Sequence, residues 1–207
     1  MNSLLAVRRE ALERQWQRQL AVIGIPERFR SRTFADYQAD APEQQLARTL
    51  CQDYARALCA GQRRGEALLL LGGPGTGKTH LACAILAVVV RAGRRGCYTS
   101  LPGAVRSLRD ARSSRSPCSE AEAFAQLSKP DLLVLDDLPD APDDEHRGLL
   151  LEVLETRYAQ QRASILIGDL SVSSLEQTLG LRIVERLHEA GLCHVAFTWP
   201  SHRRRAG

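Results

Sequence analysis

The feature that most constrains the fold is a nineteen-residue stretch, LLLLGGPGTGKTHLACAIL, which covers residues 68–86. Its leading leucines form an apolar run that ends at glycine, a pattern typical of a buried strand. After Lys78, apolar residues recur at helical spacing. The stretch therefore predicts a strand, a glycine-rich loop and a helix in immediate succession.

The loop between that strand and helix satisfies the pattern G-x-x-x-x-G-K-[ST] at Gly72, Gly77, Lys78 and Thr79. Glycines let the backbone N–H groups turn inward towards phosphate oxygens, and the start of a helix adds a positive dipole end. Lys78 supplies a mobile charge for the β- and γ-phosphates, and the Thr79 hydroxyl is a suitable hard ligand for Mg²⁺. A glycine-rich turn without a ligand is the alternative. We predict ATP and Mg²⁺ as cofactors, with nucleotide contacts from Gly72, Gly73, Pro74, Gly75, Thr76, Gly77, Lys78, Thr79 and His80.

The rest of the chain alternates strand-like and helix-like segments, which predicts an α/β domain built on a parallel sheet with helices on both faces. Strands are expected at residues 67–71, 96–100, 132–136, 164–167 and 194–199. Helices are expected at residues 3–20, 42–59, 120–127 and 145–159, with helical turns at 105–110, a helix after the loop and a helix pair at 173–190.

A second chemical feature is DLLVLDD at residues 131–137. An apolar strand that ends in a carboxylate can complete a phosphate-loop site, because that carboxylate holds Mg²⁺ through water. Asp136 is assigned this role. Asp137 stands where many such ATPases have a glutamate that polarises the attacking water, and aspartate is one methylene shorter. Two surface carboxylates that merely follow a core strand are the alternative interpretation.

Composition excludes several classes of protein. With 207 residues, 44% hydrophobic and 25% charged, the chain is long enough to bury a substantial core. The longest apolar run, residues 81–90, is too short to span a bilayer, and no leader-like segment starts the chain, so a cytoplasmic protein without membrane contact is expected. The six cysteines form no C-x-x-C pair and are interpreted as reduced thiols. The net charge of +4 permits nucleic-acid binding without requiring it.

The series GGPGTGKTHLACAI, DLLVLDDL, LGLRIVERL and FTWPSHRRR resembles the DnaC/DnaI group of AAA+ helicase loaders and the related IstB-type ATPases. The segment IPERFRSRTFADY, residues 25–37, resembles the one that precedes the AAA+ core in those proteins. The resemblance spans about residues 12–205. It implies an AAA+ core with a five-stranded parallel sheet, and a nucleotide-driven protein that binds single-stranded DNA and a hexameric, DnaB-type replicative helicase.

The resemblance also assigns three further site residues. The sensor I position, usually asparagine, matches Asp169, and a carboxylate there accepts hydrogen bonds only and repels phosphate. The arginine finger matches Arg186, which implies head-to-tail self-assembly because such an arginine acts on a neighbouring subunit. The sensor II arginine matches Arg203. Ordinary surface charges are the alternative for both arginines.

Two departures from the family pattern affect the domain assignment. Only about two dozen residues precede Ile25, where loaders have a sizeable domain that grips the helicase. We therefore expect residues 1–24 to form an amphipathic helix, with Leu5, Leu12 and Trp16 either docking on a partner or packing on the core, and residues 25–207 to form the AAA+ domain. No C-terminal lid domain is expected.

The DNA-binding assignment rests on four arginines. Arg106, Arg109, Arg112 and Arg115 lie within ten residues beside a serine-rich loop, and such a cluster suits contact with DNA phosphates. A solvated basic loop is the alternative, and no aromatic residue lies among them to stack on bases.

Three functions remain open. The first is an ATP-hydrolysing loader that places the replicative helicase on single-stranded DNA, and the second is an IstB-type helper with a transposase partner. The third is an adaptor or inhibitor that binds nucleotide but hydrolyses it weakly, which Asp137, Asp169 and the short N-terminal segment favour.

Overall fold

The computed structural model describes residues 2–62, 65–113, 116–169 and 174–202, with only the backbone described for residues 2–9. Five strands form one fully parallel sheet in the order β2-β3-β4-β1-β5. They are β1 (Ala67–Gly72), β2 (Gly96–Ser100), β3 (Leu132–Leu138), β4 (Ala163–Gly168) and β5 (Cys193–Phe197). The predicted five-stranded parallel α/β fold is therefore confirmed.

The helices of the described residues are α1 (Asn2–Val22), α2 (Glu27–Arg30), α3 (Pro42–Cys59), α4 (Lys78–Arg91), α5 (Leu101–Ala111), α6 (Glu120–Ser128), α7 (Asp144–Ala159), α8 (Leu175–Leu179) and α9 (Leu181–Glu189). Within these residues, no helix is both long enough and apolar enough to cross a membrane. Two predicted strand ends need correction. Strand β3 continues two residues past Asp136, and β5 ends at Phe197, so Trp199 lies after the strand.

The sheet separates two apolar cores, because successive side chains of each strand point to opposite faces. One core packs α3 and α4 against residues such as Leu68, Leu70 and Ile165. The other packs α5 to α9 against the alternate residues, such as Leu69 and Leu133. Helices on both faces leave the carboxyl ends of β1, β3 and β4 together at one edge, which is where parallel α/β sheets place ligand sites.

Helix α1 is anchored to the edge of the sheet at its C-terminal end. Leu20 is fully buried, and the Tyr98 N–H of β2 donates to the Ile23 carbonyl at 2.7 Å. The Arg91 guanidinium lies 4.5 Å from the centre of the Trp16 ring, so this side chain of the expected docking face packs on the protein's own core. Leu12 is 60% exposed. Of the described side chains of α1, Trp16 and Leu20 therefore pack on the core, whereas Leu12 is exposed.

Candidate nucleotide-binding site

The phosphate-binding loop, residues 72–79, connects β1 to α4 and is held in place by two aromatic side chains. The Tyr37 hydroxyl and the Trp199 indole N–H both donate to the Thr76 carbonyl, at 3.1 and 3.0 Å. Gly77 has φ +100°, and a Cβ at that position would lie 2.5 Å from Tyr37 Cε2. A larger residue at Gly77 would be strained in backbone and would also displace the tyrosine.

Lys78 is buried at the start of α4, and its ammonium group points back into the loop. Nζ donates to the carbonyls of Gly72 and Gly73, at 2.5 and 2.8 Å, and to Asp169 Oδ1 at 2.7 Å. Asp169 follows β4, which lies beside β1 in the sheet. The sheet order thus brings Asp169 next to the loop lysine, and the two side chains form an ion pair.

Asp136 is a buried carboxylate near the end of β3, and its two oxygens accept hydrogen bonds from three groups. Oδ2 accepts from Thr79 Oγ1 at 2.9 Å and from the Tyr98 hydroxyl at 2.6 Å, and Oδ1 accepts from the backbone N–H of Asp137 at 2.8 Å. Burial raises the pKa of Tyr98 far above its ordinary value, and the adjacent Asp136 charge raises it further. The tyrosine therefore remains a proton donor to this carboxylate at all physiological pH values.

Asp137 interrupts the regular pairing of β3. Its φ is +57°, an uncommon left-handed value that aspartate tolerates better than most residues, and the register between β3 and β4 shifts between Leu135 and Leu138. Partial burial raises the pKa of the Asp137 carboxyl, and the charges of Asp136 and Asp169 raise it further. Arg28 and Lys78 act in the opposite direction. Asp137 thus lies among two negatively and two positively charged side chains.

Two open cavities meet at the loop and share Gly75, Lys78 and Thr79. One, of about 330 Å³, has an aromatic and polar wall formed by Phe29, Tyr37, Gln38, His80 and His202, among others. The other, of about 540 Å³, lies at the carboxyl edge of the sheet and is lined by Arg28, Asp136, Asp137, Asp140 and Asp169. The cavity with the aromatic wall could accommodate the nucleoside of a nucleotide. The charged cavity on the other side of the loop could accommodate its terminal phosphate.

The family model of the IstB-like ATP binding protein matches residues 3–194. The chain belongs to this family. Among curated relatives, the replicative helicase loader DnaC of Escherichia coli strain K12 is 24% identical over 206 residues, which is 97% of this chain and 82% of the relative. The DnaC of Buchnera aphidicola subsp. Schizaphis graminum is 22% identical, over 96% of this chain and 80% of the relative.

Two solved structures share the fold of this IstB-like protein. A crystal structure of the DnaC helicase loader superposes with a TM-score of 0.71 at 23% identity, covering 82% of this chain and 99% of that one. A crystal structure of DnaI gives a TM-score of 0.69 at 20% identity, covering 90% of this chain and all of that one. The predicted AAA+ fold and the resemblance to the DnaC/DnaI and IstB group are confirmed.

Arg186 lies on α9, away from the cavity that contains Lys78 and Asp136. Its guanidinium lies 5.5 Å from the centre of the Tyr158 ring and 3.8 Å from Glu155 Oε1, and its side chain is 33% exposed. Arg182, one turn earlier, pairs more closely with Glu155, at 2.8 Å. The structure therefore does not bring Arg186 to the nucleotide site of its own chain. Arg203 lies outside the described residues.

The arginines predicted to bind DNA lie on or just after α5, and two of them are paired with acids. Arg109 forms an ion pair with Glu145, and Arg112 Nε lies 2.7 Å from Glu120 Oε1. Arg106 is exposed and forms no ion pair with the described residues. Arg115 lies outside the described residues. Any phosphate that contacts Arg109 or Arg112 must compete with a carboxylate already in place.

Several residues of the site were not predicted from the sequence, among them Arg28, Tyr37, Tyr98 and Trp199. Arg28 and Tyr37 lie in the segment IPERFRSRTFADY, whose resemblance to loaders was recognised without roles for its side chains. Tyr98 reaches Asp136 because β2 and β3 are neighbours in the sheet. A tyrosine near the end of a predicted strand was the sequence feature that could have indicated this contact. Whether that tyrosine reaches Asp136 depends on which strands are neighbours in the sheet.

Proposed function

We propose that this IstB-like protein is an ATP-dependent, DnaC-like helicase loader. In this proposal it binds a hexameric, DnaB-type replicative helicase and single-stranded DNA during the initiation of replication. The observation that carries the proposal is that Lys78, Thr79 and Asp136 lie together at the carboxyl edge of the sheet. The chain that brings them together aligns with about four-fifths of the length of curated DnaC loaders.

The donor set at Thr79 and Asp136 fits Mg²⁺. The hydroxyl and the carboxylate are both hard oxygen ligands, and their oxygens lie 2.9 Å apart, close enough to bind one hydrated ion between them. When bound, Mg²⁺ would neutralise charge on the β- and γ-phosphates. Lys78 would exchange its loop carbonyls and Asp169 for phosphate oxygens, and the nucleoside would occupy the cavity beside Tyr37 and His80.

Self-assembly is proposed from the position of Arg186. An arginine that lies outside its own nucleotide site and is partly exposed can reach the γ-phosphate of a neighbouring subunit. One interface would then place α9 of one subunit against the nucleotide site of the next. Repetition of that contact is heterologous and builds a ring or an open helix.

Single-stranded DNA binding is proposed with Arg106 as the primary contact. It is the exposed arginine of the α5 set that no described carboxylate pairs with. Arg109 and Arg112 would contribute only after exchange of Glu145 and Glu120 for phosphate. Binding of a labelled oligonucleotide should weaken in Arg106→Ala, and the salt dependence of binding should become less steep because one phosphate contact is lost.

Co-purification tests the loader function. The tagged full chain, with Mg²⁺ and ATP, is mixed with lysate of its native host, and captured proteins are identified by mass spectrometry, with Lys78→Ala as the matched control. Capture of the replicative helicase, reduced in the variant, is the expected result. Capture of a transposase without the helicase would contradict the loader function and support the IstB-type helper, which the family match also favours.

A weakly hydrolysing adaptor is the second candidate, and the Lys78–Asp169 ion pair favours it. A general base contributes about 10²–10⁴-fold only within hydrogen-bond reach, and Asp137 is one methylene shorter than glutamate. For an adaptor, slow ATP turnover should rise in Asp137→Glu, and rise further when Asp169→Asn is added. Wild-type turnover at the rate of an ordinary ATPase, slowed by either substitution, would rule the adaptor out.

A further inference from the structure

Arg28 brings a second cation to the charged cavity from near the N-terminal end of the chain. It lies on the short helix α2, which packs against α4, and it lines the cavity together with Lys78, Thr79, Asp136 and Asp137. The guanidinium carbon lies 4.6 Å from the centre of the adjacent Phe29 ring. This stacking orients the guanidinium without using its N–H donors.

The cavity is lined by more negative than positive side chains, so an incoming anion needs a cation that is not already paired. Four carboxylates line it, those of Asp136, Asp137, Asp140 and Asp169, against two cations, Lys78 and Arg28. Lys78 already binds two loop carbonyls and Asp169. Arg28 forms no ion pair with the part of the chain that the structure describes. It is therefore the cation whose donors remain available for an incoming anion.

The position of the cavity indicates which phosphate that anion is. Gly75, Lys78 and Thr79 line both cavities, so a bound nucleotide crosses from one to the other over the loop. The aromatic cavity with Tyr37 and His202 suits the nucleoside. The cavity lined by Arg28, and by carboxylates that lie in β3 or follow β3 and β4, then receives the end of the phosphate chain.

We propose that Arg28 binds the terminal phosphate of ATP from within its own chain and makes the site prefer ATP over ADP. This inference rests on the proposed nucleotide binding and adds a specificity-determining residue to it. Arginine suits the role because its planar fork can donate two hydrogen bonds to one phosphate. ADP lacks the group that Arg28 would contact, so only ATP affinity should depend on this side chain.

The test compares the affinities of ATP and ADP, each with Mg²⁺, by calorimetric titration of the wild type, Arg28→Gln and Arg28→Lys. Arg28→Gln should weaken ATP binding about tenfold and change ADP binding by less than about twofold, since only the charge-assisted contact to the terminal phosphate is lost. The ATP affinity of Arg28→Lys should lie between those of the wild type and Arg28→Gln. Arg56→Gln, which also removes one exposed arginine but lies on α3 outside both cavities, should bind both nucleotides as the wild type does.

Thermal unfolding of each variant without nucleotide checks that the fold is intact. An ATP-to-ADP affinity ratio in Arg28→Gln equal to that of the wild type would overturn the inference and leave nucleotide binding standing. A wild type that binds neither nucleotide would overturn the proposed function and this inference with it.

Discussion

The buried ammonium of Lys78 lies 2.7 Å from Asp169 Oδ1, and the Asp169 side chain is 56% exposed. From the sequence, Asp169 was expected only to repel the γ-phosphate. The ion pair adds a second effect, because Asp169 neutralises the lysine that phosphate needs. If Lys78 binds ATP as proposed, the nucleotide must first displace the Asp169 carboxylate at the solvent side of the site.

Asp169→Asn should strengthen ATP binding, because the neutral amide forms no ion pair with Lys78 and does not repel phosphate. Since the pair is partly exposed and screened, the expected gain is about threefold to tenfold in affinity. Asp140→Asn is the matched control, as Asp140 lines the same cavity without an ion pair to the described residues. Equal gains in both variants would show that general charge, and not the pair with Lys78, controls affinity.

Asp137→Asn should stabilise the nucleotide-free protein at neutral pH. The folded protein holds the Asp137 proton more tightly than the unfolded chain, whose carboxyl has the ordinary pKa of 3.8. Stability from this group is therefore complete below that value and is lost as pH rises through the raised pKa. The melting-temperature difference between variant and wild type should grow from pH 4 to pH 8. A melting-temperature difference that does not change with pH, or a higher melting temperature for the wild type at pH 8, would contradict a raised pKa of the Asp137 carboxyl.

Tyr98→Phe should weaken the binding of Mg²⁺ while leaving the fold intact. The hydroxyl donates to Asp136 Oδ2, and a hydrogen bond to a charged group contributes about 1.5–3 kcal/mol. Without it, Asp136 is less firmly oriented, so half-maximal ATP binding should require several-fold more Mg²⁺. Tyr158→Phe, which removes a hydroxyl bonded to Glu189 on the surface, is the control. If both variants show the Mg²⁺ response of the wild type, Tyr98 does not position the carboxylate.

Arg186→Ala should leave ATP binding unchanged and lower hydrolysis. Mixed with Lys78→Ala, it should recover activity, because an interface that pairs an intact loop with an intact arginine forms only in the mixture. Turnover is measured across mixing ratios at constant total protein. No recovery at any ratio would indicate an arginine that acts within its own chain or serves structure alone.

The sequence predicted the strands, loop and helix that form the site better than the side-chain contacts between them. The strand–loop–helix at residues 68–86 and the strand that carries Asp136 were both recognised, although β3 continues past the predicted end, because local pattern determines which segments form strands and helices. Pairing of Tyr98 with Asp136, and of Lys78 with Asp169, depends on which strands are neighbours in the sheet. Strand order is a property of the packed sheet, and no single segment encodes it.

The predicted end of β5 failed for a related reason. The sequence predicts a strand that runs to Trp199, but β5 ends at Phe197, and the Trp199 indole N–H donates to the Thr76 carbonyl from beyond the last strand residue. The left-handed backbone at Asp137 likewise had no sequence signal, since an aspartate after a strand is compatible with many backbone conformations.

The claim that this chain binds Mg²⁺-ATP through Lys78 is tested most directly by calorimetric titration of the wild type and of Lys78→Ala. Removal of the ammonium leaves the β- and γ-phosphates without their nearest cation, so affinity should fall by at least about a hundredfold. Thermal unfolding should show that the variant still folds. Undiminished ATP affinity in Lys78→Ala would contradict the assignment of the loop.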